Sequence, residues 1–368
     1  MELHIDVLGP ASEADYEAFL HALPTSMLFQ SVRYRNMLRA VLPGAEDRYF
    51  LAREGAAGSR GRIVGALPTF VLRHPTSGTL INSLPFFGSN GGVLSLPSEP
   101  RLPIAKALLE SVKAFAKAEN AASTTIVSHP LDSEEDLSVY RDELTVTAED
   151  ERIGQITPLP SVDPFDLTTA ETKLFALYHQ KTRNVIRKAQ SSDFAVTHEN
   201  SDEAMRELYA IHEENMTQIG GVVKPYSFFQ IIQKNYRYDD DYRVYIARKD
   251  GRVAAALLVF YYNRIAEYFT PVTRAEFRIL QPQSLLCLRG MQEAMRRGCT
   301  HWNWGGTGLA QTGVYEFKRK WGTEDHRYRY FIAEREDLPL RKLSRAELLS
   351  SFPNFFAIPF NVLPPGAP

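Results

Sequence analysis

The sequence predicts an α/β (α+β) fold in which one folding unit occurs twice. Three observations carry this: a β-hairpin pattern in each half of the chain, an amphipathic helix after each hairpin, and a composition able to fill two cores. In the second half, residues 243–248 and 252–260 are β-rich runs joined by Lys249, Asp250 and Gly251. Asp-Gly between two such runs is a strong short-range hairpin signal, because both turn residues must take positive φ. In the first half, residues 48–53 and 62–71 have the same character around a Gly-rich turn. A further strand-like run follows each hairpin, at 79–84 and 265–270. The helices then cover about 103–119, with Ile104, Leu108, Val112 and Phe115 at helical spacing, and about 283–297, with Leu285, Leu288, Met291, Gln292 and Met295 along one face. Each leads into another strand, at 124–128 and 300–304. Each unit is therefore expected to hold a mixed, mostly antiparallel sheet flanked by helices.

The length of 368 residues suits two domains and a tail. The Pro-rich stretch 156–164 marks the boundary, which gives a first domain over 1–155, a second over 156–335, and a C-terminal tail over 336–368 packing on the body. The second domain opens with helices: one over 169–189, one capped by Ser201 and one over 226–235. Hydrophobic residues make up 44% and charged residues 23%, values of a globular chain. The net charge of −2 gives no overall basic excess of the kind that grips DNA phosphates, although a local basic patch is compatible with it. The two cysteines, Cys287 and Cys299, fit no zinc spacing and read as buried thiols, so no metal site is expected. The N-terminus lacks a basic start and an apolar core, and no stretch reaches the roughly 18 apolar residues of a membrane span. The expected location is the cytoplasm, with peripheral membrane contact left open by the apolar, proline-broken stretch 352–360.

Several residue groups are able to carry chemistry. Helical spacing puts Arg183 and Arg187 on one face, with Lys181 and Lys188 beside them. Such a group can meet a phosphate, or it can be a solvated face complementing a helix C-terminus. In His301-Trp302-Asn303-Trp304-Gly305-Gly306, alternation places the tryptophans on one strand face and His301 and Asn303 on the other. The glycines allow close backbone approach. Residues 313–322 interleave lysines with aromatics. Lys318 there is able to stabilise an oxyanion, since a cation gains as an attacked carbonyl becomes tetrahedral. The Gly-rich loop 85–92 offers amides to an anion. Glu267, on the run 265–270, is the candidate general base, with Glu214 and Asn215 as weaker candidates.

Taken in order, the basic helix 181–189, the glycine exit after Trp304 and the pair Phe317-Lys318 ahead of Trp321-Gly322 resemble the FemABX-like branch of the GNAT acyltransferase superfamily. Phe29-Gln30-Ser31 and Tyr34 extend the resemblance, which covers about 25–332. It implies a tandem pair of GNAT-like domains. It also implies an N-acyltransferase acting on an amine of a peptidoglycan, cell-envelope or exopolysaccharide precursor. Phe317 and Lys318 would lie at the reaction centre. Lys181, Arg183, Arg187, Trp304, Gly305, Gly306, Tyr315, Gln30 and Tyr34 would bind substrate. The implied co-substrate is aminoacyl-tRNA, favoured, or an acyl-CoA or acyl-carrier protein, with no permanently bound cofactor. The acceptor would be a small or lipid-linked sugar or peptide. A nucleotide-sugar-binding protein without catalysis is the remaining alternative. The chain departs from the family twice. Residues 226–241 are too short for the helical arm that some members use on tRNA. Residues 278–284 lack the glycines of a CoA-binding turn and carry Pro282, which has no amide hydrogen.

Overall fold

The computed structural model describes residues 2–56, 58, 61–85, 90–337 and 340–359. Contacts divide the chain into two compact units, 1–153 with 327–368, and 154–326. The sequence places these divisions slightly later, after 155 and after 335. The chain returns to the first unit within a strand, which no composition change marks.

In the first unit, β1 (Leu3–Val7) leads to α1 (Glu13–His21) and α2 (Val32–Val41). Then come β2 (Ala45–Asp47), β3 (Phe50–Glu54), β4 (Ile63–Leu67), β5 (Phe70–His74), β6 (Gly78–Asn82) and β7 (Leu94–Ser95). The expected single strand over 62–71 is thus two strands. Pro68 supplies no amide to a ladder, and the chain there passes from the sheet β1-β3-β4-β7 to the pairing of β5 with β6. Helix α3 (Arg101–Ala118) buries Ile104, Leu108 and Val112 on the expected stripe and leads to β8 (Ala121–Val127). β8 pairs parallel to β6. α4 (Glu134–Glu143) opens on a capping box in which Ser133 and Asp136 exchange bonds. β9 (Ala148–Pro158) carries the chain into the second unit.

There α5 (Leu167–Leu177) and α6 (Gln180–Gln190) replace the single helix expected over 169–189. The break has a local cause. Tyr178 turns into the core with extended ψ, and the His179 side chain accepts from the Lys181 amide, capping a new helix. β10 (Ala195–Glu199) is followed by α7 (Asp202–Gln218), capped by Ser201 as expected, and by α8 (Tyr226–Asn235). β11 (Tyr242–Lys249) and β12 (Arg252–Tyr262) form the hairpin, with Asp250 at φ 51° and Gly251 at φ 76° in its turn. β13 (Ile265–Thr273), α9 (Pro282–Arg296), β14 (His301–Gly308) and α10 (Thr312–Arg319) complete the unit. β15 (Glu324–Glu334) returns to the first unit, which ends with α11 (Arg345–Ser351).

The second unit's sheet runs β10-β11-β12-β13-β14, with the end of β9 beside β14. From β10 to β13 the pairings are antiparallel, and β13 to β14 is a parallel step, the crossover through α9. One face, packed by α5, α6 and α9, buries Leu257, Val259, Ala266, Leu286, Met291 and Trp302. Side chains alternate along each strand, so the partners of those positions, Phe260 and Glu267 among them, face α7 and α8. Tyr236 of the α8 terminus packs tilted against Phe260, with ring centroids 4.9 Å apart. Gly290 lets α9 lie against β14: a Cβ there would sit 2.7 Å from the Trp302 ring.

Candidate functional site

β13 and β14 pair only through Ile265–His301, Ala266–Trp302 and Glu267–Asn303. Beyond that point the two parallel strands part. Glu267 and Asn303 therefore sit side by side at the fork. On β13 the register against β12 slips at Phe269, an extra residue that bends the strand just past Glu267.

Glu267 is 3% exposed. Its Oε2 accepts from Asn303 Nδ2 at 2.8 Å, while its Oε1 has no hydrogen-bond partner among the described residues. Burial disfavours the charged form and pushes this carboxyl up to about 8, against the smaller opposing effect of the Asn303 bond. The orientation of Asn303 is fixed from behind, since its Oδ1 accepts from the Gly305 amide at 2.9 Å. Gly305 adopts φ 74°, a conformation that glycine takes without strain. Its carbonyl accepts from Lys318 Nζ at 3.2 Å.

Lys318 points inward from α10 and is 6% exposed. An ammonium has three N–H groups, and here they meet the carbonyls of Gly305 and Gly306, both at 3.2 Å, and Thr307 Oγ1 at 2.9 Å. Burial pulls its pKa down to about 8. The Thr307 hydroxyl donates to Gln155 Oε1 at 3.1 Å, and Gln155 donates to the Tyr315 carbonyl at 3.2 Å. Glu267, Asn303, Gly305 and Lys318 are thus one hydrogen-bonded series across β13, β14 and α10.

An aromatic wall adjoins it. Trp304 is buried, donates Nε1 to Thr157 at 2.9 Å, and meets Tyr268, Trp321 and Phe317 at 4.7, 5.3 and 6.0 Å. Phe317 is the exposed member, 38% open. On the Glu267 side of the sheet, Lys224 from the α7–α8 connection lies over the Phe269 ring at 4.7 Å, with Nζ 3.3 Å from Thr270 Oγ1. Burial lowers its pKa to about 8 and that of His212, which accepts from the Lys224 amide, to about 4.

The structure therefore groups Glu267, Trp304, Gly305, Gly306, Phe317 and Lys318 on adjoining elements. Tyr315, on the same α10, gives its hydroxyl to Asp325 at 2.6 Å. Helix α6 is tied to the end of α10, where the His179 amide and Thr182 hydroxyl both bond the Lys320 carbonyl at 2.9 Å. Of its cations, Lys181 is exposed, Arg183 donates to the Phe175 carbonyl at 3.1 Å, and Arg187 lies over the Phe175 ring at 5.4 Å. Gln30 and Tyr34 belong to the first unit and are fully buried. Gln30 closes a capping box with Met27 and donates to the Asn90 carbonyl at 3.0 Å. Glu214 pairs with Arg274 at 3.0 Å, and Asn215 exchanges bonds with the Thr273 backbone at 3.0 and 3.1 Å, so both brace the end of β13. In the loop 85–92, residues 86–89 lie outside the described residues. Among the described residues no group of three His, Cys, Asp or Glu is placed to hold a metal, and no helix is long and apolar enough to cross a membrane. Asn303, Thr307, Gln155 and Lys224 were not singled out as site residues by the sequence. For Asn303 the alternating Trp pattern gave its face, but not the parallel register that sets it beside Glu267.

Residues 178–319 match the family model described as acetyltransferase (GNAT) domain. No curated protein matches the chain in sequence. Among solved structures, FemX is similar over 90% of this chain and 97% of its own, at 16% identity and TM-score 0.68. A tandem GNAT protein from the clavulanic acid biosynthesis pathway is similar over 90% and 98%, at 15% identity and TM-score 0.54. L-PGS from Bacillus licheniformis is similar over 94% and 97%, at 14% identity and TM-score 0.53. The chain thus has the fold of FemX and of the tandem GNAT protein, and residues 178–319 match an acetyltransferase (GNAT) domain.

Proposed function

We propose that the protein transfers an acyl or aminoacyl group to an amine of a cell-envelope or exopolysaccharide precursor, with Glu267 as general base. The observation that carries this reading is the half-satisfied, buried carboxyl at the strand fork, whose pKa burial raises to about 8 and whose Oε1 has no hydrogen-bond partner among the described residues. The amine nitrogen attacks the donor carbonyl carbon, forming the C–N bond, and its proton passes to Glu267. The bond from that carbon to the donor oxygen or sulfur then breaks, and the leaving group takes up a proton. Positioning and a matched base contribute the acceleration. Lys318, whose three N–H groups are engaged, acts through the glycine exit: it fixes Gly305 and Gly306, and thereby Asn303 and the base. Its charge reaches the carbonyl oxygen directly once one of those bonds is exchanged. Lys181, Arg183 and Arg187 on α6 are proposed to meet donor or acceptor phosphates.

Aminoacyl-tRNA is the favoured donor. Helix α9 starts with Gln281 at φ 61° and then Pro282, and the Ser284 amide is taken by the Gln281 carbonyl at 3.0 Å. This start presents fewer amides to a diphosphate than a glycine-rich turn does. An acyl-CoA donor is the second reading, favoured by the acetyltransferase model over 178–319.

The test offers purified protein labelled aminoacyl-tRNA, acetyl-CoA and an acyl-carrier protein in parallel, with amine acceptors of the envelope and exopolysaccharide type. Label is expected to pass from tRNA to the amine. Passage from CoA or carrier protein alone establishes the second reading. Absence of transfer from every donor, together with tight binding of a nucleotide sugar, contradicts the catalytic reading.

A further inference from the structure

The second unit also contains a cleft of about 640 Å3 that shares no residue with the fork. It opens where α9 passes the β10–β11 edge of the sheet, beside the start of α5. One side is apolar, formed by Phe165, Leu167, Phe194, Val196 and Leu285. Leu167 is 55% exposed, and Phe165, Phe194 and Val196 are only partly covered by the core beneath them. Half-covered apolar side chains that meet in a concave surface mark a place where something binds.

The opposite side is cationic. Arg243, Arg289 and Arg296 line it, with Glu293 as the only carboxylate of the lining among the described residues. Glu293 is already shared by Arg296, Arg297 and Arg243, at 2.6, 2.7 and 3.1 Å. Burial and the neighbouring Arg243 lower the pKa of His198, and its ring bonds the Tyr238 hydroxyl at 2.7 Å. Arg289 is different from the other two arginines. Its guanidinium donates to a neutral group, Gln292 Oε1, at 3.1 Å, and among the described residues no carboxylate is within ion-pair distance. Gln292 passes its amide to Glu171 at 3.4 Å, so that carboxylate lies one residue further back. A half-buried guanidinium without a counter-charge, opposite a half-covered apolar wall, is complementary to a ligand that is anionic at one end and apolar at the other. Arginine's planar fork suits carboxylate and phosphate oxygens alike.

The two sites lie on opposite faces of one sheet. Tyr245 and Val196 of the cleft belong with the α9-side core, as does Ala266, whereas the next residue, Glu267, faces α7 and α8. We propose that this cleft is a binding site for one amphiphilic monoanion, its carboxylate or phosphate head on Arg289 and its apolar body against Phe165, Phe194, Val196 and Leu285. The site is separate from the transfer site, and its existence does not depend on the donor or the acceptor.

Calorimetric titration of the full chain with octanoate, octyl phosphate, octanol and inorganic phosphate tests it. At least one charged octyl probe is expected to bind one-to-one, tenfold or more tighter than both octanol and inorganic phosphate. The better of octanoate and octyl phosphate names the head group. Arg289→Gln is expected to bring that probe close to the affinity of octanol, Arg289→Lys to restore part of the loss, and Phe194→Ser to weaken the charged probe and octanol together. Thermal midpoints of all three variants are measured alongside, so that a folding defect in one leaves the other two to decide. Charged probes that bind no tighter than octanol overturn the proposal. So does an affinity unchanged in folded Arg289→Gln.

Discussion

At the residue scale the chemistry rests on how two buried ionisable groups are held. Glu267 has one oxygen bonded and one buried without a partner among the described residues, so its protonation is governed by burial and by a single donor. Replacing that donor, Asn303→Ala, removes the bond that favours the ionised form. The acidic limb of kcat/KM is then expected to move to higher pH while KM changes little, and an unmoved limb contradicts the positioning role. The same burial bears on stability. The Glu267 carboxyl titrates near 4.5 when unfolded and near 8 when folded. Between those values the native state holds a proton that the unfolded state has released, so this residue makes stability fall as pH rises from about 4.5 to 8. Glu267→Gln is expected to flatten that slope in denaturant titrations across the window. Lys318 acts in the opposite sense and at higher pH, because its folded pKa lies below the unfolded value. Lys318→Met leaves three acceptors without this donor, the buried Thr307 hydroxyl oxygen and the partly covered carbonyls of Gly305 and Gly306. A loss of roughly 1–3 kcal/mol is expected from that alone, along with a fall in turnover larger than any change in KM.

At the element scale the fork is a product of packing. α9 crosses from β13 to β14 and can lie close to the sheet because Gly290 has no side chain. Gly290→Ala would set a Cβ 2.7 Å from the Trp302 ring, which is walled in by the buried core. Overpacking of this kind costs roughly 1–3 kcal/mol, and the unfolding midpoint reads it; an unchanged midpoint contradicts the packing described. Much at this scale was legible in the sequence. The Asp250-Gly251 hairpin, the Ser201 cap and α8 fell where turn chemistry and helical spacing put them. What was not legible depended on tertiary context. The stretch 169–189 reads as one helix because nothing in its spacing shows Tyr178 being drawn into the core against Trp321, at 5.0 Å. The stretch 62–71 reads as one strand because sheet membership is decided by partners distant in sequence.

At the scale of the whole molecule, the duplication anticipated from the hairpins is present as a repeated strand–helix–strand crossover, β6–α3–β8 and β13–α9–β14, each pairing parallel. The two copies differ at the corresponding end of the parallel pair. In the first, Asn82 of β6 bonds the Phe356 backbone through both ends of its amide, at 2.9 and 2.7 Å, and Thr125 of β8 reaches the same carbonyl at 3.4 Å. The C-terminal segment thus gives the first copy backbone partners at the position where Glu267 Oε1 has none among the described residues in the second. Asn82→Ala is expected to lower stability by roughly 1–3 kcal/mol by leaving those backbone groups unpaired. A pattern of hydrophobic periodicity locates both copies, but it holds no sign of which one is filled, since that depends on a segment more than two hundred residues away. In the same way Glu267 and Lys318 were individually visible as candidates, whereas Asn303 and Gly305, which join them, became visible only once β13 and β14 were in register.

The most direct measurement is the pH dependence of kcat/KM for transfer to an amine, in the protein and in Glu267→Gln. The expected result is an acidic limb centred near 8 and a loss of turnover of about 100-fold or more in the variant across the range. A profile without that limb, or a variant as active as the parent, would contradict the assignment of the fork as the site of transfer.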